Sequence, residues 1–287
     1  MQIAIASGKG GTGKTSLAVS LFLANRDRSR LLDCDVEEPN CHLFLATRFV
    51  SRTSVEKRIP LLNPDLCKHC GKCVEACQFN ALAEAGKAGI LVFEELCHSC
   101  GGCTFVCPTG ALHETPLKMG AITRALVAGK AELITGALAI GHTETPSLIR
   151  AVKKTRPDPE VAFTLIDAPP GTACAFAAAV EHTDFVLLVA EETPFGLHDL
   201  KLAIKALQKM EIPFAVVLNR MRPGFSSVLE FCKEKNYPLW LQIPESRAIA
   251  ETYARGGTLL DAMPELEESL RLLLDQCAEA ILCNPRN

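Results

Sequence analysis

Apolar residues fall along this chain in short blocks of two kinds. Gln2-Ile3-Ala4-Ile5-Ala6, Arg30-Leu31-Leu32-Asp33, Val161 to Ile166, Phe185 to Ala190, Phe214 to Leu218 and Leu239 to Ile243 are near-continuous apolar runs. Strands covered on both faces inside a parallel sheet read this way, because neither face needs polar side chains. Other stretches repeat at helical spacing instead. Ser16 to Ala24 is one, and Gly196 to Met210 is another, with Leu197, Leu200, Ile204 and Leu207 on a single face. Strands alternating with such helices predict an α/β domain built on a doubly wound, mostly parallel sheet.

The pattern breaks between about Pro60 and Pro116, where cysteines, glycines and short spacers replace the long apolar runs, and it resumes with no low-complexity linker. This predicts a small α+β domain inserted into the larger one, with residues 59–118 between two parts at 1–58 and 119–287. The insert is an internal duplication. Leu66-Cys67-Lys68-His69-Cys70-Gly71-Lys72-Cys73 is echoed by Leu96-Cys97-His98-Ser99-Cys100-Gly101-Gly102-Cys103, so each half is expected to bind one similar object.

Composition narrows the classes. A chain of 287 residues with 48% hydrophobic and 22% charged side chains can bury a large core. Its net charge of -3 supplies no basic field, so nucleic acid is not an expected partner. Met119 to Gly141 is the most membrane-like stretch, but Arg124, Lys130 and Glu132 interrupt it and predict no transmembrane helix. Met1 to Ala6 lacks the basic and apolar regions of a secretory signal, which predicts a cytoplasmic protein. Fourteen cysteines in a reducing compartment then point to metal ligation rather than disulfides.

The loop after the first strand, Gly8-Lys9-Gly10-Gly11-Thr12-Gly13-Lys14-Thr15, satisfies G-x-x-x-x-G-K-[ST] between a strand and a helix. Its glycines let successive N–H groups, continuing to Ser16 at the helix start, converge on phosphate oxygens. Lys14 is expected to neutralise the β/γ-phosphates and Thr15 to ligate Mg2+. Asp33 and Asp35 follow the second strand and Asp167 follows Ile166, where parallel strands deliver carboxylates to a ligand crevice. They are the expected magnesium and water ligands, with strand-end capping the alternative for Asp33.

The insert carries Cys67-x-x-Cys70-x-x-Cys73-x-x-x-Cys77 and Cys97-x-x-Cys100-x-x-Cys103-x-x-x-Cys107-Pro108, two copies of the bacterial ferredoxin spacing. In that arrangement the fourth ligand of each 4Fe-4S cluster comes from the other run. Cys67, Cys70, Cys73 and Cys107 are therefore expected to hold one cluster, and Cys97, Cys100, Cys103 and Cys77 the other. Zinc is the alternative, although its structural sites usually pair two short C-x-x-C knuckles. Gln78 stands where a proline often follows the fourth cysteine, and His69 and His98 are expected to be surface residues or modest modulators of potential. Cys34, Cys41, Cys232, Cys277 and Cys283 read as small buried hydrophobes.

Lys9, a second lysine within the phosphate loop, resembles the deviant Walker A motif of the MinD, ParA, Mrp and nitrogenase iron protein superfamily. The resemblance extends over the whole chain, as in MinD-superfamily ATPases with an inserted ferredoxin domain. It implies ATP/ADP as the nucleotide and an ATP-dependent sandwich dimer, with itself or with a related ATPase. In that dimer Lys9 reaches the partner's nucleotide; a lysine balancing phosphate charge within its own subunit is the alternative. It further implies that Asp35 positions the attacking water and that Asp167-Ala168-Pro169-Pro170-Gly171-Thr172 is the Walker B and switch II segment. Asn219-Arg220 match the adenine-reading position, and Ile243-Pro244-Glu245 the second base-side loop.

Three functions fit this resemblance: an ATPase coupled to electron transfer with a redox partner, a carrier or scaffold handing iron–sulfur clusters or a metallocofactor to an accepting protein, and a spatial organiser with a redox-sensing insert. Leu259 to Asn287 is rich in acidic residues, so the direct membrane binding of MinD itself is not expected. Cys174 lies seven residues beyond Asp167, resembling the nitrogenase iron protein's ligand spacing, but no second cysteine stands near Gly141 to Ser147 and a dimer-bridging cluster is not expected.

Overall fold

The computed structural model describes residues 1–86, 89–222 and 224–283. Its strands are β1 (Gln2–Ala6), β2 (Ser29–Asp33), β3 (Thr47–Leu62), β4 (Leu82–Glu84), β5 (Ile90–Val92), β6 (Leu112–Val127), β7 (Ala131–Leu138), β8 (Phe163–Asp167), β9 (Phe185–Glu191), β10 (Phe214–Met221) and β11 (Leu239–Pro244). The helices are α1 (Lys14–Ala24), α2 (Lys72–Glu75), α3 (Gly102–Phe105), α4 (Thr145–Lys153), α5 (Cys174–Val180), α6 (Pro194–Lys209), α7 (Ser227–Glu234), α8 (Arg247–Ala254), α9 (Leu259–Ala262) and α10 (Leu266–Leu282).

The chain forms two compact units. One holds Met1–Arg52, Ile122–Ala137 and the chain from Thr145 onward; the other holds Thr53–Ala121 and Leu138–Glu144. The expected borders at 58/59 and 118/119 thus give way to a larger second unit that also takes in a short later segment. The reason lies in β3 and β6, each 16 residues long, which run from one unit into the other without a break in the strand.

In the first unit, β1, β8 and β2 form a continuous parallel ladder, with Ile5 opposite Asp167 and Asp33 opposite Asp167. β9, β10 and β11 continue it in parallel on the far side of β1, and β7 pairs in parallel with β2. The nine-stranded sheet runs β11-β10-β9-β1-β8-β2-β7-β6-β3. The chain therefore winds outward from β1 in both directions, which opens a crevice at the carboxyl ends of the central strands. β2, β8 and β9 are buried at every position, as their apolar runs predict.

Helices α1 and α10 cover one face. Leu17 and Leu21 of α1 join Leu270, Leu273, Leu274 and Ile281 of α10 in the core, each such side chain contributing about 1.5–3 kcal/mol by leaving water. Local chemistry fixes where helices begin. Thr193 caps α6 by accepting from the Gly196 N–H, with Pro194 in the first turn where its missing N–H costs nothing, and Thr258 and Asp261 form a capping box at α9.

The strands β3, β6 and β7 are not among those the apolar runs predict. β3, with the sequence TRFVSRTSVEKRIPLL, is mostly exposed and ends the sheet. Pro60 and exposed arginines are what an edge strand uses against further pairing, and they erase the apolar signal. Met119 to Gly141 falls largely in β6 and β7, and among the described residues no helix is long and apolar enough to cross a membrane.

The second unit contains the antiparallel pair β4–β5 and the short helices α2 and α3. The sequence duplication is also conformational. Left-handed backbone recurs at His69 and Ser99, at Gly71 and Gly101, and at Asn80 and Gly110. Its core is small, with Cys73, Leu82, Ile90 and Leu112 in one cluster and Ile59, Ala81 and Cys97 in another.

Candidate functional site

Successive parallel strands of the first unit deliver one group each to the crevice. The phosphate loop follows β1, Asp33 ends β2 and Asp35 lies just beyond it, Asp167 ends β8, Glu191 ends β9, Asn219 and Arg220 lie near the end of β10, and Pro244 ends β11. The resulting cavity of about 560 Å³ is lined by Gly10, Gly11, Gly13, Lys14, Thr15 and Ser16 from the loop, and by Asp35, Asn219, Arg220 and Pro244 opposite. Gly8, Lys9 and Thr12 belong to the same loop, and Asp167 stands beneath it.

Two glycines of the loop are required by geometry. Gly13 has φ +91°, and a Cβ there would sit 2.2 Å from Asn219 Nδ2; a Cβ on Gly8 would sit 2.2 Å from the Asp199 carbonyl oxygen. Asn219, expected to read a base, donates from Nδ2 to the Thr12 carbonyl at 2.7 Å and accepts the Arg220 N–H on Oδ1 at 2.9 Å. It braces the loop in this state. Arg220 itself turns through φ +53° and donates to Glu191 at 2.6 Å.

Beneath the loop the Thr15 hydroxyl donates to Asp167 Oδ2 at 2.7 Å, and the Cys41 thiol reaches the same oxygen at 3.5 Å. Asp33 Oδ2 accepts the Cys41 N–H at 3.1 Å, so Asp33 does cap a turn, and yet it also lies in a cluster with Cys41 and Asp167 whose ligand atoms are all within 4.8 Å of one another. The remaining oxygens Asp33 Oδ1 and Asp167 Oδ1, and the Thr12 hydroxyl, are buried without a partner. Such orphans are costly unless a ligand or ion completes them; a phosphate oxygen would accept from the Thr12 hydroxyl, and a hydrated magnesium ion would meet the carboxylate oxygens.

Burial raises the pKa of Asp33 well above the ordinary carboxylate value, with the Asp167 charge adding to it. Burial likewise raises Asp167 against the pull of Lys14 and Thr15, and it lifts Asp35 to about 6 against the pull of Lys14. The folded chain thus keeps protons that the unfolded chain releases above about pH 4, so the stability of the nucleotide-free protein falls as pH rises through that window toward pH 6 and beyond. In thermal melts from pH 5 to 7.5 the nucleotide-free protein is expected to lose melting temperature as pH rises. An Asp33→Asn variant is expected to show a flatter profile; equal slopes would remove the carboxylate cluster as the cause.

Two residues of the crevice carry no sequence motif. Glu191, 10% exposed at its side chain, accepts from Lys9 Nζ at 2.8 Å as well as from Arg220. Lys9 is therefore held within its own subunit in this state. Cys41, read from sequence as core filler, is fully buried but contributes its N–H and thiol to the carboxylates.

In the second unit the cysteines gather into two separate cavities. Cys67, Cys70, Cys73 and Cys107 line one, and Cys77, Cys97, Cys100 and Cys103 line the other. The fourth cysteine of each run thus crosses to the other run's cavity. Four thiolates on one zinc at about 2.3 Å would lie about 3.8 Å apart, whereas among the described residues no three of these sulfurs come within 4.8 Å of one another. Four thiolates in each cavity are the donor set that a 4Fe-4S cluster takes. Around Cys107, burial raises the thiol pKa, but N–H groups of Leu112, Thr109 and Ala111 and the Thr109 hydroxyl outweigh it and bring the value down to about 7. That environment favours a thiolate, the form that binds metal. Ala81 donates its N–H to Cys77 Sγ at 3.3 Å in the other cavity. His98 stacks on Phe79 with ring centroids 4.0 Å apart.

Of the remaining cysteines, Cys34, Cys41, Cys232 and Cys277 are buried, while Cys283 is exposed, contrary to its reading as core, because it lies past the last turn of α10. Cys174 is exposed at the start of α5.

A profile of the CobQ/CobB/MinD/ParA nucleotide binding domain matches residues 3–259. An uncharacterized protein of Methanocaldococcus jannaschii is 32% identical, with 98% of each chain covered, and a second one from the same organism is 31% identical over 91% of each. Among solved structures, the septum site-determining protein MinD of Pyrococcus horikoshii, complexed with Mg-ADP, superposes with a TM-score of 0.56 at 19% identity, covering 98% of both chains. A plasmid partition protein of Borrelia burgdorferi bound to AMPPNP gives 0.52 at 15% identity, covering 96% of this chain and 98% of that one. These structures share the fold, and the profile and the full-length relatives carry the assignment: the chain belongs to the CobQ/CobB/MinD/ParA family of nucleotide-binding domains.

Proposed function

We propose that this protein is an ATP-hydrolysing dimer that holds two 4Fe-4S clusters and couples its nucleotide state to electron transfer. MinD/ParA-type members of the family are ATPases and work as dimers with partners, which supports the first half. The observation that carries the second is the crossed sorting of eight cysteines into two cavities of four, in a chain that also has the phosphate crevice.

In the crevice, Lys14 and the loop N–H groups bind the phosphates, while Thr15, Asp35 and Asp167 would hold Mg2+, which neutralises charge developing on the γ-phosphate. Asp35 orients the attacking water. Lys9 leaves Glu191 and reaches the nucleotide of the facing subunit, so that closure and hydrolysis depend on each other. Arg220, Asn219 and Pro244 lie on the base side. The eight cysteines hold the clusters, which supply one-electron relay chemistry. The closed, four-cysteine sets favour relay to a redox partner over transfer of whole clusters.

Exposure of Cys70 and Cys100 favours a second reading, in which clusters pass to an accepting protein. The two readings separate in one experiment: anaerobic purification, iron and sulfide analysis, and EPR after dithionite reduction with and without Mg-ATP. Electron coupling predicts about eight irons per chain and a signal or potential that changes with Mg-ATP. Cluster transfer predicts iron that moves readily to an apo-acceptor, and a chain that binds zinc in place of iron would overturn both. The two M. jannaschii relatives in one organism make a mixed dimer of related chains an arrangement to assay alongside the homodimer.

A further inference from the structure

The second unit buries a lysine beside its second cysteine run. Lys57, in β3, is 7% exposed at its side chain. Its Nζ donates to the Glu94 carbonyl at 2.5 Å, to the Cys97 carbonyl at 3.3 Å and to Glu144 Oε1 at 2.6 Å. Glu94 to Cys97 is the turn that leads into the second cysteine run, and the Glu94 carbonyl already accepts the Cys97 N–H at 3.2 Å. The equivalent turn of the first run is built alike, with the Pro64 carbonyl accepting the Cys67 N–H at 3.2 Å. Among the described residues no side-chain cation bonds to the Pro64 or Cys67 carbonyl. A buried ammonium thus sits on the backbone of the second run's first cysteine; Lys87, which stands ten residues before Cys97 as Lys57 does before Cys67, lies outside the described residues.

We infer that Lys57 raises the reduction potential of the cluster held by Cys77, Cys97, Cys100 and Cys103, with Glu144 partly offsetting it. This rests on the iron–sulfur reading above. One-electron reduction takes a 4Fe-4S cluster from its 2+ to its 1+ state, and the electron comes from the redox partner in the cell or from dithionite in the test. The added negative charge is stabilised by a nearby cation, and the effect is large where water is excluded. Lys57 touches only the carbonyl of a ligand residue, so it is a positioning residue that acts through charge and through the Glu94–Cys97 turn.

The test is an EPR-monitored redox titration of the full-length, cluster-loaded protein, wild type against Lys57→Met and Glu144→Gln. Lys57→Met is expected to lower the potential of one cluster by about 59 mV or more, which is a tenfold change for a one-electron couple. Glu144→Gln is expected to raise the same cluster and leave the other in place. Potentials unmoved in both variants, with iron content at the wild-type level, would overturn the inference and leave the function reading standing. Loss of iron in both variants would assign the pair to holding the turn and would equally overturn the electronic role. A wild-type protein that takes up no iron on anaerobic reconstitution would bring down the function reading, and this inference with it.

Discussion

Replacing Lys9 by alanine is expected to lower ATP turnover by about a thousandfold or more, the scale at which a cation supplied across an interface to a transferring phosphoryl group acts. Binding of the nucleotide by one subunit is expected to survive, because Lys14, the loop N–H groups and Asp167 are untouched. The two quantities are separated by measuring steady-state hydrolysis and, independently, nucleotide affinity under conditions that keep the chain monomeric. Geometry makes the expectation specific. Lys9 is bound to Glu191 at 2.8 Å within its own subunit, and Glu191 simultaneously holds Arg220. In the proposed dimer this lysine exchanges one carboxylate for a phosphate on the other chain. Glu191→Gln should therefore shift ATP-dependent dimerisation in the opposite direction, to lower ATP concentration. The gain is small, since a partly exposed ion pair is worth about 1 kcal/mol or less, roughly fivefold. A Lys9→Ala protein that dimerises fully and turns over at the parental rate would place the lysine in a charge-balancing role within its own subunit.

Much of this site was legible before any coordinates, and the reason is topological. When a phosphate loop opens on a buried apolar strand, every later buried strand of a doubly wound sheet ends at the same edge, so Asp33, Asp35 and Asp167 could be placed together from strand order, while Asn219 and Pro244 came only from the family resemblance. The crossed cysteine sets were legible because spacing within a tight loop limits one run to three corners of a cubane. Glu191 and Cys41 were not legible. Glu191 is one of two adjacent glutamates after an apolar run, and nothing in its sequence context separates a residue that holds two cations from Glu192, which accepts the Ser227 hydroxyl and the Val228 N–H at the start of α7. Cys41 looks like any core cysteine until its distance to the carboxylates is known. The edge strand β3 escaped for a different reason. A strand exposed along most of its length presents polar residues on both faces and has no apolar run or clean alternation to announce it.

The crossed assignment of cysteines makes a prediction that a locally paired module would not. Cys107→Ala is expected to cost one cluster, about four of about eight irons, and the lost cluster is that of Cys67, Cys70 and Cys73, in the other run of the sequence. Combining changes makes the assignment decisive, because substitutions in the same cluster cannot add while substitutions in different clusters must. Cys107→Ala with Cys70→Ala should retain the same half-content of iron as either change alone. Cys107→Ala with Cys100→Ala should retain almost none. Pairing within each run would give the reverse, with the Cys107/Cys100 combination sparing half the iron. The structure favours the crossed outcome, since Cys107 shares a cavity with Cys67, Cys70 and Cys73, and Cys77 shares one with Cys97, Cys100 and Cys103. Each fourth cysteine then ties one repeat to the other, so in a unit whose cores are only a few apolar side chains each loss of either cluster is also expected to loosen the insert, read as faster proteolysis within residues 59–118, while the phosphate crevice goes on binding nucleotide.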